Sequence, residues 1–207
     1  MIEGDEHMAR RLVENYRAMP RVHIRRAYVY PGNVETLFDE AGVPVDLDLL
    51  SVDIDSNDYY VWRAISGYRP KVVVIEYNPG YPPPVKAVVA FHPFNYWDGS
   101  DYYGASIQAF CELGRKKGYE LVHVESSGAN LFFVDRRYFG RFGIRDNSPA
   151  RMYRPPRYGL TCGGRAPNGR GWPPYETFRL APFGFKPFDR PLHVGTVQIP
   201  KVMVIDP

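Results

Sequence analysis

Four consecutive β-branched residues, Val72-Val73-Val74-Ile75, lie inside the run Lys71–Tyr77 (KVVVIEY). Branching at Cβ removes rotamer freedom in a helix and packs well on a pleated sheet, so this run predicts a strand. It has no polar alternation, so both of its faces need cover, which a parallel sheet flanked by helices supplies. A second short apolar run, Leu47–Asp55 (LDLLSVDID), reads the same way and predicts a neighbouring strand buried on both faces.

The segments around these two runs carry helical periodicity. Met8, Leu12, Val13 and Tyr16 share one face of a helix predicted over Asp5–Tyr16, and Pro20 stops it. Val22–Val29 is a short strand candidate. Asn33 is placed to cap a helix with Val34, Leu37, Phe38 and Ala41 on one side and Gly42 at its end. Asn57 or Asp58 caps another running to Ile65. Ser106–Lys117 is a third, with Ile107, Phe110, Cys111 and Leu113 apolar and Gly118 after it. Tyr119–Val124 and Asn130–Asp135 then flank Glu125–Ala129 as a hairpin. Alternating strands and helices imply a mostly parallel α/β sheet, here with an antiparallel hairpin at its C-terminal end. After Tyr138 the pattern gives way to Pro, Gly, Arg and aromatics, until two late strand candidates at Val194–Ile199 and Lys201–Ile205. The expected organisation is an α/β domain over 1–138 with an irregular basic extension, 139–207, packed on it.

Apolar content of 44% in 207 residues suits a soluble globular domain with a real core. No apolar run reaches the 18 residues of a membrane span, and MIEGDEHMARR has no signal-peptide core. Cys111 and Cys162 form no disulfide framework and no metal-ligand spacing, so both read as free thiols of a reducing compartment; the expected location is the cytoplasm. The net charge of +3 hides an asymmetry. Arg136–Arg190 holds 12 Lys and Arg against three acidic residues, whereas the remainder holds 14 basic and 20 acidic. An Arg-rich tail suits either an anionic partner or a solvated loop region. Arg151–Arg170 mixes Arg with Tyr, but no nucleic-acid-binding module is recognisable, so a nucleic-acid partner is not expected. Assembly into a homo-oligomer is left open.

Five phrases stand in a suggestive order: Ile2-Glu3-Gly4-Asp5, DLDLLSVDIDSNDYYVW (Asp46–Trp62), VVVIEYNP (Val72–Pro79), YYGASIQAFCELGRKKGYELV (Tyr102–Val122) and GANLFFV (Gly128–Val134). Together they resemble the FkbM-like branch of S-adenosylmethionine-dependent methyltransferases over about residues 1–138. The resemblance implies a Rossmann-like class I methyltransferase sheet with S-adenosylmethionine as cofactor. It implies that Ile2-Glu3 ends the family's second strand, where Glu3 would accept hydrogen bonds from ribose hydroxyls, and that Asp53 is the acidic residue after the fourth. Glu3 read alone is a surface glutamate that favours the dipole of the helix behind it. The sequence also departs from the family. No strand with a Gly-rich turn precedes Ile2, and in the family that first strand is central. Its absence would leave a slot with unpaired backbone groups on both neighbours. The expectation is a chain beginning at an internal methionine; the late strand Lys201–Ile205 or a partner chain are the other candidates to fill the slot.

Ligands in open α/β sheets bind beyond the carboxyl ends of the strands. Asp53 and Asp55 follow one strand and Glu76 ends the next, so three carboxylates are expected in one cleft, with Asn78 and His92 on its rim. Transfer from a sulfonium needs an oriented acceptor and removal of a hydroxyl proton. Asp53 or His92 is the candidate base. Glu3, Asp53 and Glu76 are the candidate cofactor residues. Asn78, just after Glu76, and Tyr102 and Tyr103 are the candidate substrate residues, the tyrosines ending a stretch (HPFNYWDGSDYY) whose aromatic and polar groups suit a small or carbohydrate-like acceptor. Asp53, Asp55 and Glu76 also form a candidate divalent-metal set. Two other readings remain. Asp-x-Asp after a strand occurs in metal-dependent glycosyltransferases, and the fold can persist as a non-catalytic binding or assembly module. Asp55–Asp58 can equally be a helix cap with acidic first-turn residues.

Overall fold

The structure is a computed structural model describing residues 1–95, 97 and 102–157, together with the backbone of 193–194, 197–198 and 203–204. In chain order the elements begin with β1 (Ile2–Glu3), α1 (Glu6–Tyr16), β2 (Arg25–Arg26), α2 (Val34–Glu40), β3 (Leu49–Val52) and α3 (Asp58–Ala64). β4 (Val72–Glu76), β5 (Ala87–Val88), α4 (Ile107–Lys117), β6 (Tyr119–Val124) and β7 (Asn130–Asp135) follow. Then come α5 (Arg136–Phe139), α6 (Pro149–Met152), β8 (His193–Val194), β9 (Val197–Gln198) and β10 (Met203–Val204).

The central sheet has the order β3-β4-β7-β6. β3 and β4 are parallel, with Leu49 opposite Val72 and Val52 opposite Ile75, and β7 is antiparallel to both β4 and β6. Three of the four strands therefore point the same way, an α/β sheet compatible with a Rossmann-like fold. The β-branched run of β4 is its second strand, with Val73 and Ile75 fully buried.

Helices α3 and α4 supply much of the core. Trp62 is 1% exposed and meets Phe133 of β7, ring centroids 4.9 Å apart, as well as Phe110 and Tyr119. Gly114 lets α4 approach this closely: a Cβ there would stand 2.9 Å from Cε1 of Phe133 and 3.2 Å from Trp62. Ser106 caps α4 by accepting from the Ala109 N–H, and Gly118 ends it in the left-handed region at φ 83°.

Several expectations need correction. β3 is buried only on alternate residues; Leu49 is 57% exposed because no layer covers that face among the described residues. Met8 and Val13 of α1 are likewise exposed, Leu12 and Tyr16 are half-buried and Ala9 alone is fully buried, so the expected apolar face is only partly covered. Only Arg25–Arg26 of Val22–Val29 is a strand. Past Tyr138 the chain makes a 3₁₀ turn, Gly140–Phe142, and a short helix capped by Ser148, where no pattern is legible. Within the late candidates the backbone pairs His193–Val194 with Val197–Gln198, and Met203–Val204 with β5. Lys201–Ile205 therefore does not complete the sheet beside β1.

β1 and β2 form their own parallel pair, separate from the central sheet. A groove of about 1080 Å³ lies where the two sheets face each other, lined by Ile2, Arg25, Val34, Phe38 and Leu49–Ile54 among others. Among the described residues no helix is long and apolar enough to cross a membrane. Cys111 is a buried free thiol, pushed up to about 12 by burial; Cys162 and most of Arg151–Arg170 lie outside the described residues.

Candidate functional site

The parallel register dictates the first juxtaposition. Val52 stands opposite Ile75, so the next residue of each strand, Asp53 and Glu76, meet at the carboxyl edge of the sheet. The chain then turns sharply. Asp55 has φ 60° and Ser56 φ 152°, backbone conformations that non-glycine residues adopt only when their surroundings hold them there. One carboxylate oxygen from each of Asp53, Asp55 and Glu76 falls within 4.8 Å of the others. None of the three has a hydrogen bond or ion pair to another described residue.

Asp58 holds the turn. It is fully buried at the first position of α3, and its two oxygens accept from the N–H groups of Ile54 (3.0 Å) and Ser56 (3.1 Å). Asn57, at the N-cap position, makes no side-chain cap and instead donates to the His92 carbonyl at 2.9 Å. The Ser56 hydroxyl accepts from Asn95 Nδ2 (2.8 Å) and the Gly104 N–H (3.3 Å). The carboxylate-bearing turn is thus fastened to the middle and to the far end of the long segment between β4 and α4. Among the described residues, the buried Oδ1 atoms of Asn57 and Asn95 have no hydrogen-bond partner.

These contacts set the electrostatics. Burial, then the charges of Asp58, Asp53 and Asp55, push the Glu76 carboxyl far above the ordinary carboxylate range, so it holds its proton at neutral pH. Burial raises Asp53. Burial, then Asp53, then Glu3 raise Asp55. Burial raises Asp58 as well, against the two backbone N–H groups it accepts from. Glu3 is therefore close enough to Asp55 for their charges to interact, which brings the end of β1 to the same edge; its own carboxylate accepts from the Asp5 N–H at 2.8 Å.

The remaining candidates sit differently. His92 Nδ1 accepts from the Phe94 N–H at 3.2 Å and the ring lies against Phe94. Asn78 is buried, donates to the Tyr103 carbonyl (3.0 Å) and accepts from the Gly80 N–H (2.8 Å), so its amide braces the loop. Tyr102 and Tyr103 are 3% and 6% exposed, turned into the protein. Tyr96 and Asp98–Asp101 of the aromatic loop lie outside the described residues. Sequence reasoning missed Ser56, Asn57 and Asn95 as supports of the turn, and took Asp58 for an ordinary cap. The one available signal was the crowding of polar residues in Asp55–Asp58 directly after an apolar strand.

The donor set suits a cationic or polyhydroxyl group. Two acceptor-only carboxylates and a protonated third match ribose hydroxyls, an ammonium or a sulfonium, and three oxygens within 4.8 Å match opposed ligands of a calcium-sized ion at about 2.4 Å each. Set against family models, curated proteins and solved structures, the chain matches none.

Proposed function

We propose that this chain is an S-adenosylmethionine-dependent methyltransferase-like domain acting on a hydroxyl of a small or carbohydrate-like acceptor. The convergence of Asp53, Asp55 and Glu76 at the carboxyl edge of the sheet carries this reading. The strand directions, three alike and β7 reversed, agree with it. Glu3, Asp53 and Glu76 are the residues that would hold the cofactor, whose sulfonium-activated methyl is the chemistry it supplies when bound. Glu76, protonated, donates a hydrogen bond. Asp53, ionised and facing solvent, accepts ligand hydroxyls or removes a proton from an acceptor oxygen. The loop after β4, fastened through Asn57, Asn95 and Ser56, shields one side of the edge.

Titration of S-adenosylmethionine into the 207-residue chain, followed by NMR and calorimetry, tests the proposal. Binding weaker than low micromolar is expected, since no glycine-rich turn follows an apolar strand in the sequence to supply backbone groups to the methionine end. The perturbed resonances should be those of Glu3, Asp53 and Glu76, and Asp53→Asn should abolish the effect. Saturating ligand with no change at any of the three removes the methyltransferase reading.

The same oxygens favour a second reading, a divalent-cation site. Calcium or manganese titration separates the two: cation binding that survives excess cofactor, without cofactor binding, supports metal-dependent transfer instead.

A further inference from the structure

The basic excess past Arg136 plays no part in the chemistry proposed at the carboxylates. A pocket of about 350 Å³ gathers some of it. Arg145, Arg151 and Arg154 line this pocket with Ile144 and Met152, and Asp146 is its one acidic residue among the described residues. None of these belongs to the cluster of Asp53, Asp55 and Glu76. The backbone beneath the arginines is fixed from two sides. Asn147 Nδ2 donates to Glu120 Oε2 at 3.0 Å and to the Leu121 carbonyl at 3.3 Å, which ties the stretch before α6 to β6. Beyond α6, the buried Tyr77 donates to the Arg154 carbonyl and Tyr153 to the Pro79 carbonyl, each at 2.7 Å, which ties the chain to the end of β4.

The guanidinium groups are left for a ligand. Arg136 and Arg137, just upstream, are bound in ion pairs with Glu120 and Asp135. Arg145, Arg151 and Arg154 have no ion pair among the described residues; Arg154 Nη1 donates to the Tyr153 carbonyl at 3.2 Å. Asp146 Oδ1 accepts from the Ser148 N–H at 2.9 Å. Its carboxyl is held below the ordinary range by Ser148 first and by the charge of Arg151 further. Three guanidinium groups against one carboxylate leave the pocket with two positive charges. The planar fork of arginine pairs with phosphate oxygens two at a time. A phosphomonoester carries about −1.5 to −2 at neutral pH, which matches that charge, whereas a carboxylate, a sulfate ester or one link of a nucleic-acid backbone carries a single negative charge.

We propose that Arg145, Arg151 and Arg154 bind the phosphate of a small phosphomonoester, whose organic part lies against Ile144 and Met152. The pocket stands at the small end of the roughly 300–1,000 Å³ range of ligand sites, which gives room for one phosphate and a compact group and not for a polymer chain. Ile144 and Met152, both half-buried, offer the organic part apolar contact. This inference is independent of the methyltransferase reading, since no residue of the carboxylate edge takes part, and the failure of either leaves the other standing.

The probes are phenyl phosphate, phenyl sulfate and inorganic phosphate, each titrated into the full chain at pH 7 and constant ionic strength. Backbone amide and arginine Nε–H resonances are the readout. Phenyl phosphate should saturate, with shifts centred on Ile144–Arg154. Phenyl sulfate, of the same shape but singly charged, should bind about tenfold or more weaker, and inorganic phosphate, which lacks the ring, weaker as well. Arg151→Gln and Arg154→Gln should each weaken phenyl phosphate by about tenfold or more, the loss expected of one charge-assisted hydrogen bond. Both side chains are exposed, so the melting temperature should hold. Absence of saturation by phenyl phosphate at about 10 mM, tenfold above a weak millimolar Kd, overturns the proposal. So does equal affinity for phenyl sulfate, or equal affinity in the wild-type chain and both variants. Tighter binding of a single-stranded oligonucleotide without terminal phosphates also overturns it and assigns the arginines to nucleic acid.

Discussion

Replacing Asp53 by Asn should make the protein more stable. Asp53 makes no hydrogen bond to a described residue, so the substitution removes a charge and no structural contact. Two like charges 4.8 Å apart repel by roughly 0.9 kcal/mol at the dielectric of water and by roughly 3.5 kcal/mol at an effective dielectric near 20. Asp53 and Asp55 reach solvent, so their pair belongs near the lower figure. Glu76 is largely protonated at pH 7 and adds only part of a second such term. The expected gain is about 1–2 kcal/mol at low ionic strength, shrinking as salt screens the pair. Urea unfolding at pH 7, with and without added salt, measures it. The pH dependence gives a second readout. Glu76 has a folded pKa raised above its ordinary 4.5, so the folded state binds the extra proton and stability falls as pH rises from that value toward the raised one. Asp53 is one cause of that shift, so Asp53→Asn should flatten the fall. A neutral or destabilising effect at low salt would falsify the reading of Asp53 as a charge held in place for a ligand.

Two further substitutions should act in the opposite direction. Asp135 is fully buried and accepts from the Arg137 N–H, Nε and Nη2 and from Arg69 Nε at 2.7–3.0 Å. Burial raises its pKa, but these partners win and hold it at about 2. Its contribution is present above the unfolded value of 3.8 and is lost as pH falls through 2, about 2 kcal/mol before discounting for the solvent-exposed arginines. Asp135→Asn should cost about 2–4 kcal/mol in neutral denaturant melts and remove that acid limb; an unchanged midpoint contradicts it. Asp58→Asn turns an amide donor toward a backbone N–H. It should cost about 1–3 kcal/mol and weaken whichever ligand binds the carboxylates; equal ligand affinity in the two proteins would show that the turn does not depend on Asp58.

The central sheet was legible because its signals are local. The β-branched run of β4, the Ser106 cap and Gly118 around α4, and the hairpin of β6 and β7 each follow from a few adjacent residues. The meeting of Asp53 with Glu76 was legible as well, since two neighbouring parallel strands of known ends leave little freedom in register. What failed was long-range. Leu47–Asp55 was read as covered on both faces because its residues are apolar, yet cover depends on what lies opposite, and nothing in Leu49 or Ser51 encodes that. Met8 and Val13 mislead for the same reason: periodicity marks a helix face that can be buried, not one that is. Tyr102, Tyr103 and Asn78 looked like a polar wall; burial of the tyrosines and the two bonds of the Asn78 amide turn them inward. The supports of the turn were invisible because Ser56 meets Asn95, and Asn57 meets His92, across more than 30 residues.

Those supports bear on why the carboxylates are there at all. A left-handed Asp55 and a Ser56 at φ 152° each cost of order 1–3 kcal/mol, and the structure adds the repulsion of three acidic groups to that strain. Asp58 offsets part of it by accepting from Ile54 and Ser56. The bonds from Asn95 and Gly104 to Ser56 offset more while leaving two buried amide oxygens, on Asn57 and Asn95, without partners among the described residues. A helix cap alone requires none of this, since Ser106 and Ser148 each cap a helix in this chain with one hydroxyl and ordinary backbone. The difference between those caps and the 53–58 turn lies in where the charges end up. The strained turn brings Asp53 and Asp55 up to Glu76 at the solvent-facing edge of the sheet instead of to a helix N-terminus. Strain, repulsion and unpaired acceptors gathered at one edge, where a simpler cap would serve the helix, are what the proposed site for a positively charged or hydroxyl-rich ligand would require.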